Sequence, residues 1–167
     1  MPDFFLDRLV HLNYDADRFS AKVAEVSKMK GGSIDGLTHT DMRGGNAVNT
    51  ATALSALGAE VIPIVCTSKL GLQFLKFYLK PYKIDLSHVK VLSKASATTA
   101  LELETGKGKV NIMLRDVGSL AVFGAQHLDE EDFEAIKNAD YVCLFNWAGT
   151  RRFGTQLAKT VFHYAKT

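Results

Sequence analysis

Two asparagines that follow a glycine pair are the residues of this sequence best suited to binding a polyol. The segment runs Gly44-Gly45-Asn46-Ala47-Val48-Asn49. Glycine lets the backbone take a positive φ or approach a ligand closely, because it has no Cβ. The spacing predicts a helix from Asn46 that Gly58 ends, so Asn46 and Asn49 project from one side of its first turn. Each amide donates and accepts hydrogen bonds, which suits hydroxyl groups better than a bare phosphate.

The same segment also fits a purely structural role, as a glycine-rich turn into a well-packed helix with Asn46 as its N-cap. The helical spacing predicts a buried face made of Ala47, Val48, Ala51, Leu54 and Leu57. Spacing alone leaves both interpretations open.

A third amide side chain follows a second apolar run. Residues 139–145 are typical of a buried strand of parallel type, and Asn146 comes directly after them. In open α/β sheets, ligands bind beyond the carboxyl ends of the strands. Asn146 is therefore a candidate substrate contact.

Composition indicates a globular protein and excludes several classes of function. The chain has 167 residues, 47% hydrophobic and 23% charged, with a formal net charge of +2. No stripe of Lys and Arg suggests nucleic acid, and no apolar run reaches transmembrane length. The N-terminus lacks the features of a signal peptide. Cys66 and Cys143 each lie in an apolar run, which predicts buried thiols rather than a metal pair and favours the cytoplasm.

The periodicity predicts alternating strands and helices, hence an α/β fold. Strands are expected over 4–12, weakly over 33–42, and over 61–66, 89–92 and 139–145, with a β-hairpin over 97–116. Helices are expected over 15–29, 46–57, 70–80, from 128 onward, and over 151–165 with Thr150 as a cap. Pro63 lacks a backbone donor, so the strand that contains it is expected to be locally irregular.

The glycine–asparagine segment, together with Ala51, Ala53-Leu54 and Leu57-Gly58-Ala59, resembles the N-terminal signature of the ribokinase-like (PfkB) carbohydrate kinases. A second resemblance follows it in the link Lys83-Ile84-Asp85-Leu86-Ser87-His88-Val89. The likeness covers nearly all of this chain but only the first half of a typical family member. By position it implies that Gly44, Gly45, Asn46 and Asn49 line the site for a sugar or nucleoside.

The resemblance also gives Asp7 a role, because the family carries an Asp after its first core strand that binds sugar hydroxyls. An ionised carboxylate accepts strong hydrogen bonds from two vicinal hydroxyls. A solvated carboxylate at a strand end is the alternative. Only a few residues precede Asp7 here, so the first strand is expected to be clipped or missing.

The implied fold is a Rossmann-like, mostly parallel sheet with flanking helices and a small β-lid. The whole chain, 1–167, is expected to form a single partial domain, truncated relative to the family, with lid elements at about 33–43 and 97–118. By the same resemblance, many relatives dimerise through this lid, which makes a homodimer a fair expectation.

The family uses ATP and Mg²⁺ to phosphorylate a sugar or nucleoside hydroxyl, on a Gly-Ala-Gly-Asp motif in its second half. No such motif occurs here, and no ATP or metal site is evident, so no catalytic residue is predicted. The chain alone is expected not to catalyse the reaction. The alternatives are a non-catalytic sugar-binding or dimerisation module, and a fragment whose missing half is lost or supplied by another chain.

Overall fold

The computed structural model describes residues 1–165; Lys166 and Thr167, the last residues of the predicted domain, lie outside the described residues. The chain falls into two compact units. Unit 1 joins Met1–Leu6, Arg43–Ala97 and the segment that begins at Asp116, and unit 2 joins Asp7–Met42 and Thr98–Arg115.

Strands and helices alternate along the chain. In order they are β1 (Phe5–His11), α1 (Ala16–Lys28), β2 (Thr38–Gly44), α2 (Asn46–Ala56), β3 (Cys66–Thr67), α3 (Lys69–Leu79), β4 (Lys90–Val91), β5 (Ser96–Thr105), β6 (Gly108–Asp116), α4 (Glu130–Asn138) and α5 (Gly154–Tyr164). Short 3-10 turns lie at Gly118–Val122, Ala125–His127 and Trp147–Gly149. Among the residues described, no helix is both long and apolar enough to cross a membrane.

Unit 1 has an extended layer with a hydrophobic cluster on each side. Phe4 and Val65 belong to the cluster that contains buried residues of α2 and α3. Phe5, Ile64 and Cys66 belong to the cluster that contains buried residues of α4 and α5. Successive side chains of extended backbone point to opposite faces. The extended segments therefore lie between two helical layers, as in open α/β folds.

The backbone connections within that layer are partly parallel. β3 and β4 pair in parallel, and an isolated parallel bridge joins Val61 to Ile84. The first residues of the chain contact two other extended segments, because Pro2 O accepts from Cys66 N at 3.2 Å and Met1 O accepts from Phe145 N at 2.6 Å.

Two predicted strands of unit 1 are much less regular than expected. Over 61–66, only Cys66 belongs to a strand, and Pro63, which has no N–H to donate, lies within the irregular part. No strand is assigned over 139–145. The prediction that Cys143 is buried is wrong: Val142 and Leu144 pack against the core, so Cys143 between them points the other way and is exposed.

Two helices of unit 1 also differ from prediction. The buried residues of α2 are Ala47, Val48, Ala51 and Thr52, whereas Leu54 and Leu57 are 38% and 84% exposed. Only its first two turns therefore contact the core. The last helix begins at Gly154 rather than residue 151, because Thr150 donates its hydroxyl to Trp147 O and closes a 3-10 turn instead of capping α5.

Unit 2 is built around a four-stranded sheet of order β2-β1-β5-β6, and each strand extends one or two residues beyond the unit. The predicted hairpin is present as β5 and β6, joined by Gly106 and Lys107. The helix predicted over 15–29 is α1, and Asp15 caps it by accepting from Arg18 N at 2.8 Å. A small cluster centred on Val10, Leu12 and Leu103 supports the sheet.

Candidate functional site

Gly45 is held between β2 and α2 in a conformation that only glycine adopts easily. Its φ is +97°, and it is the N-cap of α2. A Cβ built on Gly45 would lie 2.6 Å from Asp3 O and 2.9 Å from Phe4 Cα. Both the positive φ and the close approach therefore require glycine at this position. Gly44, the last residue of β2, is buried beside it.

The start of α2 is capped by a carboxylate from far away in the sequence. Asp3 is 1% exposed; its Oδ2 accepts from Asn46 N at 2.7 Å, and its Oδ1 accepts from Ala47 N at 3.0 Å. These bonds satisfy two of the N–H groups that the first turn of a helix leaves free, and negative charge is favourable there. The interpretation of Asn46 as the N-cap is wrong, because Gly45 holds that position and Asp3 supplies the capping bonds.

The same carboxylate brings Asn146 to the start of α2. Asn146 Nδ2 donates to Asp3 Oδ2 at 3.1 Å. The backbone of Asn146 is left-handed, with φ +49° and ψ +44°, and its carbonyl accepts from Gly149 N at 2.8 Å. Asn46 and Asn146, 100 positions apart in the sequence, therefore share one buried carboxylate. This link is the main geometric feature of the site.

The side chains of Asn46 and Asn49 are exposed on the first turn of α2. Asn46 gives its backbone N–H to Asp3, which leaves its amide side chain at the surface. Asn49 Oδ1 accepts from Arg43 Nη1 at 2.6 Å. Arg43 was not among the predicted site residues, and neither was Asp3. No local pattern marks a cap that comes from 43 positions away, and a basic residue before a glycine pair has no specific meaning alone.

Asp7 lies in unit 2 and is partly buried. Its Oδ1 is buried and has no hydrogen-bond partner among the described residues. Burial raises the pKa of Asp7, and hydrogen bonding to Thr98 and the positive charge of Arg115 oppose this rise. The carboxylate therefore has an acceptor position that no described residue uses.

A polar pocket of about 100 Å³ follows Asn146 in unit 1. Its lining includes Trp147, Thr150, Arg151, Arg152, Gly154 and Thr155. The indole N–H of Trp147 donates to Thr155 Oγ1 at 3.3 Å, which fixes one wall.

A second charged cluster in unit 1 joins β4 to α4. Asp132 is fully buried, with His88 Nδ1 at 2.8 Å from its Oδ1 and Lys90 Nζ at 2.5 Å from its Oδ2. Asp129 caps α4 and also pairs with Lys90, at 2.6 Å. Burial acts to lower the pKa of Lys90, but its hydrogen bonds to both carboxylates outweigh burial and raise it. Every member contacts another, which is typical of a structural network.

The model of the pfkB family of carbohydrate kinases matches residues 10–166. The chain belongs to this family. No curated protein matches the sequence. The family match and the solved structures below confirm the predicted α/β, ribokinase-like fold.

Solved structures of ribokinases and a nucleoside kinase share the fold at low sequence identity. A ribokinase from Thermotoga maritima matches with a TM-score of 0.59 and 13% identity over 98% of this chain and 55% of its own. An Arabidopsis thaliana ribokinase, complexed with ribose and ATP, matches with a TM-score of 0.58 and 14% identity over 83% and 41%. A Burkholderia thailandensis nucleoside kinase, in complex with inosine, gives 0.54 and 12% over 84% and 39%.

The chain thus spans about half the length, or less, of these solved kinases. Among residues 1–165, no group of three or more His, Cys, Asp or Glu side chains is placed to hold a metal ion. The groups assembled around Asp3 are amide and carboxylate groups, which suit hydroxyl recognition.

Proposed function

We propose that this pfkB-family chain is the sugar-binding half of an ATP-dependent carbohydrate or nucleoside kinase. The observation that carries the proposal is the buried carboxylate of Asp3, which joins the first turn of α2 to Asn146. This link supports a single polar site at the start of α2. Such rigid support of polar side chains is what hydrogen bonding to a polyol requires.

In this proposal each predicted residue has a distinct role. Gly44 and Gly45 allow a ligand to approach the backbone, and Asn46 and Asn49 bind hydroxyl groups through their amides. Asn146 binds a further hydroxyl through the oxygen of its amide, since its Nδ2 already donates to Asp3.

Within unit 2, Asp7 has a proposed role of its own. Its unused Oδ1 accepts a hydrogen bond from a substrate hydroxyl.

The ribose and inosine bound by two solved relatives support a pentose or nucleoside as the substrate class.

Phosphoryl transfer in this proposal needs groups beyond those of the chain. The sequence has no Gly-Ala-Gly-Asp segment, and ATP use is inferred from kinases that were solved with ADP or ATP. We therefore expect the chain alone to bind its polyol without transferring phosphate from ATP, which an assay of ADP release checks. The segments at about 33–43 and 97–118 stay the predicted lid elements.

Thermal unfolding of the 167-residue chain against pentoses, hexoses, their phosphates and nucleosides tests the proposal. A ligand at 100 times its Kd is expected to raise Tm by about 5–10 °C for a protein of this size. Asn49→Ala should abolish the rise, whereas Asn138→Ala, at the exposed end of α4, should retain it. A cooperative transition that no ligand moves would overturn the proposal.

A second candidate function, a non-catalytic dimerisation module, is favoured by the exposed apolar residues of β6. Ile112, Met113 and Leu114 are 49%, 61% and 56% exposed on this edge strand. Sedimentation equilibrium tests it: a dimer that Met113→Glu dissociates would support a β6 interface. A monomer at all accessible concentrations would contradict it.

A further inference from the structure

The outward side of α3 carries a row of lysines in a stretch without acidic residues. Residues 61–84 contain four lysines and no Asp or Glu. Three of these, Lys69, Lys76 and Lys80, are exposed, and at 3.6 residues per turn they project within about 40° of one another. Among the described residues, no ion pair closer than 4.0 Å includes any of the three. The row is therefore a concentrated positive charge that the described side chains do not neutralise.

Two large apolar side chains lie beside this row. Leu70 and Phe77 are 62% and 74% exposed, and because they are seven positions apart they project within about 20° of each other. Other residues anchor the helix, since Leu75 and Leu79 are buried in the core cluster on the opposite side of α3. Leu70 and Phe77 are thus largely left to solvent. The exposed surface formed by both groups is called the α3 ridge and consists of Lys69, Leu70, Lys76, Phe77 and Lys80.

The size and charge of the α3 ridge favour a lipid surface over a protein partner. A helix of 11 residues is about 16 Å long and about 10 Å wide, so the ridge covers much less than the roughly 800 Å² that each partner gives to a standard protein interface. A bilayer needs no complementary shape: lysines contact anionic headgroups while Phe and Leu side chains enter the interface. We propose that the α3 ridge docks this chain on the surface of an anionic lipid bilayer.

Vesicle flotation of the full chain tests this docking. Vesicles of phosphatidylcholine alone are compared with vesicles that also contain about 30% phosphatidylserine, an anionic lipid. Each lysine near such a surface contributes about fivefold to binding, so three lysines are expected to favour the anionic vesicles about 100-fold. Raising the ionic strength from about 0.1 M to about 1 M should remove most of this preference, because the Debye length falls from about 10 Å to about 3 Å.

Two matched pairs of variants assign the binding to the α3 ridge. Lys76→Glu should weaken binding to anionic vesicles at least about fivefold, whereas Lys159→Glu, the same charge change at an exposed lysine of α5, should weaken it much less. Phe77→Gln should weaken it about tenfold, whereas Phe162→Gln, at a half-exposed position of α5, should not. The buried residues of α5 belong to the cluster on the other side of the extended layer. Equal Tm values without vesicles would show that each variant is folded.

Three results would overturn the docking proposal: equal binding to both kinds of vesicle, binding to neither, or equal losses in the α3 and α5 variants. A chain that binds neither vesicle but binds polyglutamate through Lys76 would have an acidic polypeptide as its partner, which also overturns the proposal. The α3 ridge contains none of the residues proposed to bind the polyol. A polyol should therefore raise the Tm of Lys76→Glu as much as that of the parent, so each proposal can fail without the other.

Discussion

The carboxylate of Asp3 and the side-chain amide of Asn146 are joined by a hydrogen bond of 3.1 Å, although 143 positions separate them. The same carboxylate caps α2, so one buried charge connects the first residues, the glycine pair and the segment after residue 145. Capping by a remote residue makes this part of unit 1 depend on tertiary structure rather than on local sequence.

Asp3→Asn is expected to destabilise the chain by about 1–3 kcal/mol, because the new amide has one acceptor oxygen and cannot accept from Asn46 N, Ala47 N and Asn146 Nδ2 together. Denaturant unfolding measures the loss. Asp140→Asn is the matched control, since Asp140 is exposed and should change the free energy of unfolding little. Equal stability of the two variants would contradict the role of Asp3.

Gly45→Ala and Gly58→Ala separate backbone strain from steric overlap. Both glycines have positive φ, +97° and +93°, but a Cβ on Gly58 meets nothing within 4 Å. Gly58→Ala should therefore cost only the strain of a left-handed alanine, about 1–2 kcal/mol. Gly45→Ala should cost about 1–3 kcal/mol more, because its Cβ overlaps the backbone of Asp3 and Phe4. Equal losses in denaturant unfolding would show that the close approach relaxes freely.

Local signals in the sequence predicted those parts of the fold that depend on neighbours in sequence. Gly58 lies just past the end of α2 with a positive φ, and the hairpin of β5 and β6 lies where the alternation of its residues predicted it. Each of these features is set within a few residues, where propensity and hydrogen bonding act directly.

Features set by tertiary contacts were missed or wrong. Asp3 caps a helix more than 40 positions away, which no periodicity records. Leu57 fits the apolar stripe of α2 but is 84% exposed, because the core ends after the second turn. The apolar run around Cys143 did not indicate that only one face of this segment packs against the core. The roles of the predicted site residues remain predictions.

Asp132→Asn should be among the most destabilising single substitutions in the chain. It would leave the charge of Lys90 without its buried partner, and breaking a buried pair in this way costs about 3–5 kcal/mol. Glu134→Gln on the same helix is the control, because Glu134 is largely exposed and only 3.8 Å from Lys137. A loss below about 1 kcal/mol for Asp132→Asn in chemical denaturation would show that the network relaxes without strain.

The two cysteines should differ sharply in reactivity. Cys66 is buried, and desolvation raises the pKa of its thiol to about 12, whereas Cys143 is exposed. Because the thiolate is the reactive species, a thiol reagent should label one site per native chain quickly. Cys143→Ser should abolish this fast labelling, and Cys66→Ser should leave it intact. Fast labelling of two sites would mean that unit 1 opens readily around Cys66.

The contribution of Asp7 to the free energy of unfolding should fall as the pH rises through the pKa of its side chain. Burial raises the pKa of Asp7 in the folded state above its ordinary value of 3.8, so the folded chain holds this proton more tightly than the unfolded chain. Its stabilising contribution is complete below pH 3.8 and is lost as the pH rises through the raised pKa. Asp7→Asn, which imitates the neutral acid, should therefore be more stable than the parent at pH 7 and equal to it near pH 3.

Asp41→Asn should change the pH dependence of stability in the opposite direction. A hydrogen bond from Arg8 lowers the pKa of Asp41, so its contribution is present above pH 3.8 and is lost as the pH falls through the lowered pKa. Unfolding curves of both variants from pH 3 to 8 measure the two signs. If Asp7→Asn were less stable than the parent at pH 7, favourable contacts in the folded chain would stabilise the ionised carboxylate. That result would contradict an unused acceptor position on Asp7.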